Sequence, residues 1–266
     1  MTTFYDFFTI IMPTHKPGKG KINKVRIDLL LVDRGLAESR ERGQAMILAG
    51  QVLVNGEKRD KAGSRVPEDA DIRILGEQLR YVSRGGLKLE AALREFTVDV
   101  QGRTALDVGA STGGFTDCLL QHGAGKVYAV DVGYGQMAWK LRQDPRVVLI
   151  ERVNIRHIDP ALVPEPVDIA VIDVSFISLE NVVPSILQFL KSRAEIVALI
   201  KPQFEVGKGE VGKGGIVRDE GARNAAVERV TDFFRKRGFD VRGVVPSPIT
   251  GQDGNVEFLI HALRRE

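Results

Sequence analysis

The chain changes its hydrophobic period near residue 100. Between Val25 and Gly50 apolar positions recur at helical spacing in "VRIDLLLVDRGLAESRERGQAMILAG", which predicts two short amphipathic helices broken at Gly35. Ser39 is placed to cap the second of them. "QVLVNGEKR" then alternates as a strand does, and its Asn55-Gly56 pair signals a hairpin. Beyond residue 100 the pattern is of short, nearly continuous β-branched runs: "RTALDVG", "KVYAVDVG", "RVVLIE", "VDIAVIDVSF" and "AEIVALIKP". Helical stretches are expected between them, near 116–121, 136–143, 179–191 and 220–237. Strands that are apolar along their whole length predict a parallel sheet with helices on both faces. "VRGVVPSP" and "NVEFLIHAL" close that sheet.

The expected organisation is therefore a flexible basic tail over 1–24, a small α+β module over 25–76, a linker over 77–87 and an α/β unit over 88–266. The apolar start "MTTFYDFFTIIM" contains Asp6 and lacks a basic leader and a small-residue cleavage site, so no signal peptide is expected, and Met12 is a second candidate start. No run approaches the roughly 18 apolar residues of a membrane span.

Charge sharpens the division. Residues 1–94 carry 17 Lys+Arg against 12 Asp+Glu, whereas the remainder carries 21 against 23. A basic module beside a near-neutral one points to a polyanion partner, with a solvated charged face as the plain alternative. The polar positions Arg26, Arg40, Arg42, Lys58 and Arg59 are the candidates, with Arg84 in the linker, and the last four of the module are expected on one face. The single cysteine, Cys118, excludes an internal disulfide and fits a reducing cytoplasm as a core thiol. The four histidines show no metal-ligand spacing, so no metal is expected.

Chemistry enters at "LDVGASTGGF", a strand, a loop of small residues and a helix start. This arrangement exposes backbone to a nucleotide-like ligand. Its glycines, Gly109, Gly113 and Gly114, do not make the G-x-G-x-x-G of a dinucleotide fold. Asp107 places a carboxylate at the loop's mouth, which repels phosphate and suits a cationic amino-acid group. Asp131, ending the next strand, suits a ribose diol. A ligand with both ends is S-adenosylmethionine, expected ahead of NAD or FAD. "GKGEVGKG" at 207–214 mimics a P-loop but has glycine where Ser or Thr must follow the lysine, and reads instead as a glycine-rich flap. Lys88, Asp173, Lys201 and Glu257 stand out as charges at the start of a helix, at two strand ends and within the last strand. A charge in such a place is costly unless paired.

"RIDLLLVDRGLAESRERGQAMILAGQVLVNG" resembles an S4 domain, which implies RNA binding through phosphates and shape. "SRGGLKL", "LDVGASTGGFTDCLL", "VIDVSFISL" and "LIKPQFEVG" resemble the FtsJ-like ribose 2′-O-methyltransferases. The combination resembles the TlyA, or hemolysin A-like, family across about residues 24–264. The resemblance implies a Rossmann-like methyltransferase fold with a small N-terminal S4 domain. It implies a Lys88-Asp173-Lys201-Glu257 tetrad and S-adenosylmethionine bound by Asp107, Gly109, Ala110, Ser111, Thr112, Gly113, Gly114 and Phe115. Asp131, Val132, Asn154 and Asp173 complete the implied cofactor set. Methylation of cytidine ribose in ribosomal RNA follows as the expected activity, on ribosomal RNA or subunits. A ribose hydroxyl attacks poorly while it keeps its proton, and an unperturbed lysine, with pKa about 10.4, must be held neutral to remove it. Lys201 is the expected base, oriented by Asp173, with Lys88 and Glu257 fixing the ribose. A membrane-active hemolysin, or an assembly factor with a vestigial methyltransferase fold, are the competing expectations.

Overall fold

The computed structural model describes residues 23–37, 39–48, 50–75, 80–251 and 253–265. Residues 1–22 of the expected tail over 1–24, and part of the expected linker, lie outside these. The chain divides into two units between Glu77 and Gln78.

In the first unit β1 (Lys24–Arg26) leads directly into α1 (Ile27–Asp33), and α2 (Arg40–Leu48) follows a turn at Gly35. The Ser39 hydroxyl accepts the Arg42 N–H at 3.2 Å, so the expected cap is formed. β2 (Val52–Val54) and β3 (Glu57–Arg59) make the hairpin, with Val54 opposite Glu57 across Asn55-Gly56. Two further short strands are present that the apolar pattern does not reveal. β4 (Arg65–Pro67) pairs antiparallel with β1, and β5 (Ile72–Ile74) with β2. Three-residue strands are too short to display a period. Ile27, Leu31, Ile47 and Val52 form the centre of this core.

The second unit begins before the expected boundary. Tyr81 is buried, and α3 (Gly85–Glu95) has already started by residue 87. The tyrosine packs on Gly86, where a Cβ would lie 2.3 Å from its ring, so residues 81–87 are anchored to the core instead of forming a linker. The remaining elements are β6 (Thr104–Val108), α4 (Gly114–Gln121), β7 (Lys126–Val130), α5 (Trp139–Arg142), β8 (Val147–Ile150), β9 (Val167–Ile172) and α6 (Leu179–Ile186). They continue with β10 (Leu190–Ile200), α7 (Pro202–Glu205), α8 (Glu220–Lys236), β11 (Phe239–Pro246) and β12 (Phe258–Arg264). α6 is shorter than expected: Pro184 removes an N–H donor near its end, and a 3-10 turn leads into β10.

The strand order is β11-β12-β10-β9-β6-β7-β8. β8, β7, β6, β9 and β10 run parallel, whereas β12 inserts antiparallel between β10 and β11. Both faces are covered, as the continuously apolar strands require. One core gathers Val182, Ile186, Val230 and Phe234 of α6 and α8 against Ile172 and Ile200. The other gathers Leu89, Ala92, Cys118 and Leu119 of α3 and α4 against Val127 and Val171. Burial pushes the Cys118 thiol up to about 12, which suits packing and not nucleophilic attack. The chain changes direction of winding between β6 and β9, so a crevice opens at their carboxyl ends.

Candidate active site

β6 ends at that crevice and delivers the glycine loop. Gly109 donates its N–H to Val130 O (2.9 Å) with φ of +87°, a conformation open to glycine. A Cβ there would lie 2.4 Å from the Asp173 carbonyl, so the two strand ends touch only because no side chain intervenes. Ala110 is buried behind the loop, and Ser111 donates its N–H to Asp131 Oδ2 at 2.7 Å. The Thr112 carbonyl accepts the Ala138 N–H, and Gly113 opens α4. Gly114 and Phe115 serve packing. A Cβ on Gly114 would meet Gly86 N at 2.9 Å, so this glycine lets α4 cross closely over α3, while the Phe115 ring is buried in the core.

Asp107 departs from expectation. It is fully buried beneath the loop and not at an open mouth, because the sheet is covered on both faces and residues 105–108 of β6 are all buried. Oδ2 accepts from the Thr116 hydroxyl at 2.6 Å, and Oδ1 has no protein partner. Burial pushes its pKa up to about 7, the Thr116 hydrogen bond opposes this, and the Asp173 and Asp131 carboxylates add to it. An orphaned buried carboxylate oxygen beside two more carboxylates is a place for a cation. Asp131 uses both oxygens on backbone, accepting from Ser111 and from Gly133 (2.6 Å), yet a carboxylate keeps further lone pairs for a diol. Val132, beside it, is exposed. Asn154, also exposed, spends Oδ1 on the Arg156 N–H to cap a 3-10 turn, which leaves its amide group free to donate. These features fit S-adenosylmethionine, with an ammonium, a sulfonium and a ribose.

The four charged residues gather as two ion pairs. Lys88 Nζ, reaching from α3, donates to Glu257 Oε2 at 2.5 Å, with both residues buried. Lys201 Nζ lies 2.7 Å from Asp173 Oδ1 and donates its aligned hydrogen bond to Ser175 Oγ at 2.9 Å. Glu257 immediately precedes β12 instead of lying within it, although its carbonyl still accepts the Ser247 N–H. The Ile200–Phe258 register sets Lys201 and Glu257 side by side, and Asp173 N–H bonds to Val108 O. Two residues here escape sequence reading. Both lie in the "VIDVSFISL" stretch, which assigns neither a role: Ser175 partners Lys201, and Phe176 is 90% exposed with φ of 64°. Arg84 donates to Thr250 O (2.8 Å), tying α3 to the loop before Glu257.

In the first unit the basic residues do not share one face. Lys58 and Arg59 are adjacent in β3 and stand on opposite sides of it, and Arg59 pairs with Glu57. Arg26 and Arg40 converge on Asp28, which is fully buried and also accepts from Gln44. The Arg26 hydrogen bond holds this carboxyl far below the usual range. Of the five candidates, Arg42 and Lys58 are exposed and make no side-chain ion pair among the described residues.

Asp107 also gives a pH signature. Its folded pKa lies above its unfolded value, so the stability it contributes is full below about pH 4 and is lost as pH rises through about 7. Without cofactor, Asp107→Asn therefore gains thermal stability relative to wild type between pH 5 and pH 8. Parallel melting curves across that range would exclude the assignment.

The FtsJ-like methyltransferase profile matches residues 81–264, and the S4 domain profile matches residues 25–72. The chain is 46% identical to the 16S/23S rRNA (cytidine-2′-O)-methyltransferase TlyA of Mycobacterium tuberculosis, over 89% of each protein. It is 44% identical to Hemolysin A of Brachyspira hyodysenteriae, covering 89% of this chain and 99% of that one. A solved structure from Streptococcus thermophilus, of a protein bearing a hemolysin name, superposes with a TM-score of 0.71 at 46% identity, covering 92% of this chain and 90% of that one.

Proposed function

This chain belongs to the FtsJ-like methyltransferases, with an S4 domain at its N-terminal end, and from that premise we propose that it methylates the ribose 2′-hydroxyl of cytidine in ribosomal RNA. The methyl donor is S-adenosylmethionine. The observation that carries the reading is the pair of lysine–carboxylate contacts, Lys88–Glu257 and Lys201–Asp173, beside the glycine loop.

Bound S-adenosylmethionine supplies an electrophilic methyl group on a positively charged sulfur. Asp107 Oδ1 would hold its ammonium and Asp131 its ribose diol, with Val132 and Asn154 bordering the adenine. The close approach of Gly109 to Asp173 keeps this end of the crevice narrow. Lys201 is placed to take the proton from the substrate 2′-oxygen. Asp173 holds the amine and then stabilises the ammonium that forms. Lys88 and Glu257 neutralise one another and present a donor and an acceptor to the ribose. Phe176 offers an exposed aromatic face on which the target base stacks. The S4 unit holds the RNA by its phosphates, and a cytoplasmic setting is the one in which such a substrate is met.

Tritiated methyl transfer to ribosomal subunits from cells lacking the enzyme, followed by nucleoside analysis, tests the reading. 2′-O-methylcytidine is the expected product, and a base-methylated nucleoside would overturn it. The hemolysin names of two similar proteins invite a leakage assay on liposomes. Among the described residues no helix is long and apolar enough to cross a membrane.

RNA affinity separates the two kinds of arginine in the S4 unit. Arg42→Gln with Lys58→Gln weakens binding to the subunits and flattens the salt dependence by about one unit of slope per lost phosphate contact. The melting temperature stays near wild type. Arg40→Gln lowers it instead, because buried Asp28 loses a partner. Unchanged salt slope in the double variant would remove these two residues from the interface.

A further inference from the structure

The loops that leave β9 and β10 are fastened together along their length. Lys201 contacts Asp173 and Ser175, the Phe204 ring meets Phe176 at 5.1 Å, and Glu205 accepts from the Ser178 hydroxyl (2.7 Å) and the Leu179 N–H (2.9 Å). Phe176 sits in the left-handed region, a conformation a non-glycine residue keeps only when its neighbours over-determine it. These contacts leave residues 173–176 little freedom, and they aim Ser175 Oγ at the Lys201 amine.

We propose that Ser175 is a positioning residue for methyl transfer, holding the Lys201 amine so that its lone pair faces the substrate hydroxyl. The proposal rests on the reading of Lys201 as the base. A neutral lysine amine has two hydrogens and one lone pair in three staggered positions about the Cε–Nζ bond. Asp173 lies 2.7 Å away but off the hydrogen-bonding direction, so its attraction alone does not fix the amine's rotation. Ser175 Oγ anchors that rotation by accepting one N–H at 2.9 Å. With a second N–H drawn towards Asp173, only the remaining position is left for the lone pair. Proton transfer needs that alignment, whereas binding of either substrate does not.

Three variants, Ser175→Ala, Ser175→Thr and Lys201→Met, are compared by single-turnover transfer from tritiated S-adenosylmethionine to unmethylated ribosomal subunits. The maximal rate of Ser175→Ala is expected to fall about tenfold, the effect of one hydrogen bond to a reacting group. Its half-saturating concentrations of cofactor and of subunits remain within about twofold of wild type. Ser175→Thr restores the rate because it restores the hydroxyl. A wild-type rate in Ser175→Ala would overturn the proposal, and so would a threonine variant as slow as the alanine one, since packing and not the hydroxyl would then matter. Wild-type turnover in Lys201→Met overturns the base reading itself, and the positioning role falls with it, whatever the serine variants do.

Discussion

Lys201→Met lowers single-turnover methyl transfer by at least about a hundredfold, the usual consequence of losing a general acid–base group. Methionine keeps much of the apolar stem, so the packing beside β10 survives while the titrating amine is gone. The proposed cofactor contacts lie on the Asp107 loop and at Asp131, so affinity for S-adenosylmethionine is expected to stay within roughly tenfold, about 1.4 kcal/mol. Both rates are measured at saturating cofactor and RNA. Lys88→Met is also inactive, for a different reason: Glu257, 3% exposed, is left as a buried carboxylate without its cation. Circular dichroism confirms that each variant is folded before rates are compared. Near wild-type turnover in Lys201→Met would exclude Lys201 as the base and turn attention to Lys88.

Cofactor binding is lost by at least about a hundredfold, or about 2.7 kcal/mol, in both Gly109→Val and Asp107→Ala. Gly109 fails through space: its Cβ has a carbonyl oxygen 2.4 Å away and a φ of +87°, so a side chain separates the loop from β9 or distorts the backbone that meets the ligand. Asp107 fails through charge, since Oδ1 is the buried acceptor that has no protein partner. The two variants differ in stability without ligand. Asp107→Ala removes an unpaired buried carboxylate and melts no lower than wild type above pH 7, whereas Gly109→Val melts lower. Titration calorimetry with S-adenosylmethionine reads both. Tight binding of NAD or ATP by the wild type, with none of S-adenosylmethionine, would sink the cofactor assignment.

Much of this protein is determined locally and is therefore legible in the amino-acid order. Continuous apolar runs demand a sheet covered on both faces, and Asn55-Gly56 demands a hairpin. The small-residue loop after β6 and the charged residues beside strand ends mark the crevice because such groups have few other places to go in an α/β fold. Other features depend on partners distant in sequence. Lys88 and Glu257 are 169 positions apart and meet only because β12 enters the sheet antiparallel beside β10. Asp107 looks like an exposed anion in a loop motif, yet it belongs to a central strand covered on both faces, and burial raises its pKa to about 7. Arg26 and Arg40 look like free cations, but the fold commits them to Asp28, and β3 sets Lys58 and Arg59 on opposite sides. Ser175 and Phe176 lie inside the motif that follows β9, yet the motif assigns them no role, for their roles come from the loop after β10 that packs against them. Periodicity and turn chemistry report what a residue does to its neighbours in the chain. Ion pairing, burial and the aim of a side chain are set by strand register, which only the folded sheet supplies.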